Sequence, residues 1–208
     1  MISFIKVVCV LLTVIILTSC VAFIETEYYI PVGKGGYSDN VCSGGPHNRY
    51  SFGVGSDVEL TIFPEFINNN LDLKVHVAIT IPEGVSVQFQ NSAIEIKTDG
   101  DEEKYFFEIK DIESIAYKRN SKGEPYNGKK EKYLPLDILE GATIVNDFFF
   151  FEEYRVNRNY RFSIIIEGLN EKNFTITLPD ININDRLVES QDIPIEYRKE
   201  VVSYNFRC

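Results

Sequence analysis

From residue 71 to residue 81 every second position is a large aliphatic: Leu71, Leu73, Val75, Val77, Ile79 and Ile81. Asp72, Lys74, His76 and Thr80 stand between them. A period of two sends alternate side chains to opposite faces of an extended chain, so the spacing predicts one long half-buried strand. Pro82-Glu83-Gly84 stops it. Such a strand needs a sheet to pair with and a second layer to cover its apolar face.

The same period recurs. Val58-Glu59-Leu60-Thr61-Ile62 alternates, and further strands are expected at 85–90, 93–97, 105–109, 144–151, 160–167, 174–178 and 195–206. Asp99-Gly100, Asn157-Arg158-Asn159 and Gly168-Leu169-Asn170 supply turn signals between them. Only 109–117 reads as a short helix. Phe148-Phe149-Phe150-Phe151 puts rings on both faces of a strand, as a strand buried between two layers would. With fifteen Phe, twelve Tyr and no Trp, the core is expected to consist of phenyl rings and branched aliphatics. The expected fold is all-β: a two-sheet antiparallel β-sandwich.

The N-terminus reads separately. Lys6 precedes an apolar run from Val7 to Leu17 broken only by Thr13, the charge and hydrophobic pattern of a secretory signal. The run ends in Leu17-Thr18-Ser19-Cys20, which resembles the lipobox of bacterial lipoproteins. The resemblance implies cleavage after Ser19, acylation of Cys20 by palmitate-type chains, and a durable hold on a bilayer once two or three chains are attached. An uncleaved transmembrane anchor is the alternative, since 7–24 is barely long enough to span. The expected organisation is a signal peptide at 1–19, a lipidated stem at 20–30 and one sandwich domain at 31–208. The address is the cell envelope, on the outer membrane facing the periplasm in a Gram-negative cell.

With Cys9 in the leader and Cys20 given to lipid, Cys42 and Cys208 remain. An exported chain meets an oxidising compartment, so a Cys42–Cys208 disulfide is expected, with two free thiols as the alternative. The chain carries 21 Lys and Arg against 31 Asp and Glu. Removing 1–19 takes Lys6 and no acid, which moves the net charge from −10 to −11. That balance argues against a nucleic-acid partner.

One segment runs against the acidic background. Between Tyr117 and Tyr133 lie Lys118, Arg119, Lys122, Lys129, Lys130 and Lys132, opposed only by Glu124 and Glu131. Pro125 and Asn127-Gly128 mark it as a loop or hairpin tip. Its cations suit an anionic partner such as lipid phosphate or an acidic polymer, or they merely keep a protruding hairpin from pairing with other edges.

Catalytic and metal signatures are weak. The two histidines, His47 and His76, have no nucleophile near them in sequence, and Gly-x-Ser-x-Gly, His-Glu-x-x-His and Cys-x-x-Cys are missing. Gly33-Lys34-Gly35-Gly36 lacks phosphate-loop spacing. Asp180, Asn182 and Asn184 imitate a calcium loop, but Asp185 replaces its glycine and Gln191 its final glutamate. No catalytic residue, metal or cofactor is assigned. Phe174-Thr-Ile-Thr-Leu-Pro179, Asp180-Ile-Asn-Ile-Asn184, Ile193-Pro194-Ile195, the terminal Cys208 and the stretch from Tyr29 to Cys42 together resemble uncharacterised envelope lipoproteins with an immunoglobulin-like sandwich. The resemblance supplies no catalytic residues; the expected role is a non-enzymatic binding or accessory one toward a protein or surface polymer, with toxin immunity as its most specific form. A hydrolase whose site is assembled only in three dimensions is the competing expectation.

Overall fold

The computed structural model describes residues 21–39, 48–67, 72–99, 104–119, 125–141, 143–147, 152–168 and 172–205. Within 21–23, 115–119, 125–129, 143–147, 152–158 and 202–205 the description is of the backbone alone. The strands, in chain order, are β1 (Val21–Pro31), β2 (Gly36–Asp39), β3 (Arg49–Gly55), β4 (Val58–Ile67), β5 (Asp72–Thr80), β6 (Ser86–Phe89), β7 (Ala93–Thr98) and β8 (Lys104–Glu108). They continue with β9 (Ile112–Arg119), β10 (Pro125–Tyr133), β11 (Leu139–Glu140), β12 (Thr143–Asp147), β13 (Glu152–Glu167), β14 (Asn173–Thr177), β15 (Ile181–Ile183), β16 (Arg186–Val188) and β17 (Asp192–Asn205).

They form three antiparallel sheets. The first runs β1-β17-β14-β7-β8; the second runs β10-β9-β13-β5-β4-β3-β2 with β12 on β13; the third runs β11-β6-β15-β16. The alternation within β5 is the reason they stack. Leu73, Val75, Val77 and Ile79 are buried, as are Tyr160, Phe162, Ile164 and Ile166 beside them on β13. Ile94, Ile96, Phe174, Ile176, Ile193 and Ile195 of the first sheet join the same core. Each such side chain contributes about 1.5–3 kcal/mol of transfer free energy. Rings tie the layers together: Tyr29 meets Phe66 at 5.1 Å and Phe89 meets Phe162 edge-on at 5.9 Å. The chain is an antiparallel β-sandwich. The narrower immunoglobulin-like pattern is not established by these strand orders.

Several segments depart from the sequence reading. The expected helix at 109–117 is instead the start of β9, where buried Ile112 and Ser114 flank the more exposed Glu113. That is a period of two, too short to show against Ile109 beside it. The expected stem is β1, paired along all eleven residues with β17. Its polar look came from Glu25 and Glu27, which Lys199 meets across the ladder at 3.7 and 3.1 Å. The glycine-rich chain after Gly33, outside the expected strands, includes β2, paired with β3. The basic segment at 117–133 is the end of β9 and all of β10, antiparallel with a bulge at Tyr126/Gly128.

A candidate binding groove where two strand edges diverge

Residues 104–119 make one nearly continuous extended path that changes sheets. As β8 it pairs with β7 in the first sheet, and as β9 it pairs with β13 in the second. Buried Ile109 and Ile112 pin the crossing, and Ile109 N–H donates to Ser92 O at 2.8 Å.

The crossing leaves β13 half covered. Tyr160 and Arg161 pair with β5 and with β9 at once, so those neighbours lie on opposite sides of β13. The β5 ladder continues to Glu167, whereas the β9 ladder stops at Arg161↔Glu113. Among the described residues, 162–167 therefore have no strand on the β9 side. β8 is likewise the outer strand of its own sheet. Both edges line one groove of about 790 Å³, which Phe106, Phe107 and Glu108 enter from β8 and Phe162 to Ile165 enter from β13. Consecutive rather than alternate residues line it because a strand edge, not only a sheet face, is exposed there.

Its floor extends over the outer face of β5. His76 stacks on Phe63, with centroids 4.3 Å apart and planes 9° from parallel, and its Nε2 lies 3.0 Å from Glu65 Oε2. Burial pushes the imidazole pKa down, and Lys74 and Arg161 push the same way against the opposing pull of Glu65. The ring is therefore neutral at pH 7. Ser163 sits directly across from His76 in the β13–β5 register, and no hydrogen bond joins them. The bond that activates a nucleophile is not made.

Cys20, Cys42, Cys208, His47, Lys122 and Phe148–Phe151 lie outside the described residues. Lys118, Arg119 and Lys129 are placed by backbone only. The remaining two members of the basic cluster are already engaged: Lys130 meets Glu113 at 2.8 Å and Lys132 meets Asp111 at 3.0 Å. Those carboxylates hold the Lys132 pKa up and, through Lys130, the Glu113 pKa is held down. The calcium-like run is also occupied. Asn184 and Asp185 both have positive φ, 48° and 64°, and form the two-residue turn between β15 and β16. Asn184 Oδ1 accepts from Ser86 N–H at 2.9 Å and Asp180 Oδ1 accepts from Ser190 N–H at 2.8 Å. Among the described residues no group of three or more His, Cys, Asp or Glu could hold a metal, and no helix is long and apolar enough to cross a membrane.

The groove escaped the sequence reading, yet two irregularities mark it. Tyr105-Phe106-Phe107 and Ile164-Ile165-Ile166 both break alternation, and they leave Phe106 66% and Ile165 48% exposed.

No family model matches this chain, and no curated protein matches it. Among solved structures, the KRT10-binding region domain of the pneumococcal serine-rich repeat protein PsrP aligns over 82% of this chain and all of that one. The identity is 12% and the TM-score 0.26. A likeness that slight carries no argument about fold or partner.

Proposed function

We propose that the protein is an envelope lipoprotein, held to a membrane through acyl chains on Cys20, whose sandwich binds a protein or surface polymer without catalysing a reaction. The carrying observation is the groove: the sandwich presents exposed Phe106 and Ile165 beside two strand edges that no strand covers among the described residues. Protection against a delivered toxin is the most specific form of this role. The test is site-specific photocrosslinking in cells, with a benzophenone side chain at Phe106 and, as a control, at exposed Leu187. A partner captured from position 106, absent at 187 and lost with Ile165→Asp, supports the reading. Equal capture at both positions, or none, refutes it.

A second reading, as a hydrolase, draws on one observation: Ser163 faces His76, which Glu65 holds. Fluorophosphonate labelling of Ser163, lost with His76→Gln, would support it; an unlabelled Ser163 would end it.

A further inference from the structure

We infer that the groove takes an extended peptide segment of a partner protein, added as one strand along the β13 edge at residues 162–167. This rests on the binding reading above and names the partner's chemistry.

The backbone is the first reason. A strand without a neighbour presents alternate N–H and C=O groups at about 3.3 Å per residue, and only another extended polypeptide offers the complementary row. Six residues give a ladder of about 20 Å. A second edge that is outermost among the described residues, β8, lines the same cavity. The volume of about 790 Å³ falls in the range of roughly 300–1,000 Å³ found for ligand sites.

The second reason is that the edge is unguarded. Strand edges are ordinarily blunted by Pro, Lys, bulges or inward charges. Phe162-Ser163-Ile164-Ile165-Ile166-Glu167 contains no Pro and no Lys, and its pairing with β5 runs without a register shift. The same chain breaks pairing elsewhere, with bulges at Tyr126/Gly128 and at Gly53/Gly55.

Charge favours a peptide over a polyanion. Lys74 and Lys110 line the groove without an ion pair among the described residues, as do Glu108 and Glu167. Asp111 and Glu113 are taken by Lys132 and Lys130. No single sign dominates, so selectivity falls to the ladder and to apolar side chains seated on Phe106 and Ile165.

The test pans a phage-displayed library of random nonapeptides against the full chain. The best peptide is then resynthesised with N-methyl groups at alternate residues. Three results are expected together: amide hydrogen exchange slows at least tenfold within 162–167, N-methylation in one phase weakens binding at least tenfold while the other phase is tolerated, and Ile165→Asp abolishes binding with an unchanged melting temperature. Selection of no peptide overturns the proposal, as does a footprint away from this edge. A concentration-dependent dimer that protects 162–167 without peptide overturns it too. If photocrosslinking at Phe106 still captures a partner in any of those cases, the binding function stands and only the strand mode falls.

Discussion

Arg161 and Glu113 are the last residues that β13 and β9 share. They are partners in the ladder, and the Arg161 guanidinium lies 3.9 Å from Glu113 Oε2. One residue further along, the two chains part: β13 continues beside β5, and the other path leads back to β8 in the opposite sheet. The sandwich opens at this pair. Exposed ion pairs of this kind contribute little to stability, so the divergence is set by burial of Ile109 and Ile112 rather than by the charges beside it.

His76 makes stability depend on pH. Its folded-state pKa lies below the ordinary histidine value, so the unfolded chain binds the proton more readily. Stability is full above about pH 6.5, falls as pH drops through the interval down to the folded pKa, and levels off below it. Thermal melts from pH 7.5 to 5 should show a downward step for the wild type that is smaller in His76→Phe. An identical pH profile for the two proteins would show that the ring does not titrate in this way.

Tyr160 joins the sandwich to β11. Its ring is fully buried and packs edge-on against Tyr133 at 5.4 Å, while its hydroxyl donates to Glu140 O at 2.8 Å and accepts from Glu140 N–H at 3.2 Å. Tyr160→Phe leaves both backbone groups without this partner and should cost about 1–3 kcal/mol. Tyr160→Ala adds a cavity and should cost about 3–5 kcal/mol. Urea denaturation with an unchanged m-value measures both.

Gly141 is needed for space. A Cβ there would fall 1.8 Å from Pro82 O, a backbone atom that cannot swing away, and Gly141 N–H donates to Val85 O at 2.9 Å. Gly141→Ala must push β11 off the turn after β5. A loss of about 1–3 kcal/mol or more is expected. Gly53→Ala, where a Cβ meets nothing within 4 Å, is the control and should melt close to wild type.

The cysteines can be read chemically. Metabolic labelling with radioactive palmitate should mark the wild type and not Cys20→Ser. If the proposed export holds, non-reducing peptide mapping should recover Cys42 joined to Cys208; alkylation of both thiols without reductant would remove the bridge.

The strands legible beforehand were those whose two faces meet different surroundings. β4, β5 and β14 alternate buried and more exposed residues along their length, and hydropathy records that directly. β1 was illegible because Glu25 and Glu27 find their cation on β17, more than 170 residues away. The first half of β9 reads as helix in the sequence because residues 109–111, between β8 and β9, carry no ladder and interrupt the period of two. The basic cluster was visible in composition, but its loss of Lys130 and Lys132 to Glu113 and Asp111 depends on which strands lie side by side.

Local pattern thus determined a great deal here: the all-β class, the long central strand and the buried face of most strands. Each follows from side-chain chemistry repeated at a short period, which is written residue by residue. The groove is of another kind. Whether a strand edge is covered depends on backbone groups that are the same for every residue type, and on where a neighbouring chain turns away. Among the described residues Arg161 has a partner on both sides and Ser163 on one, a difference that arises only when residues 104–119 pack Ile109 and Ile112 into the core and cross from one sheet to the other.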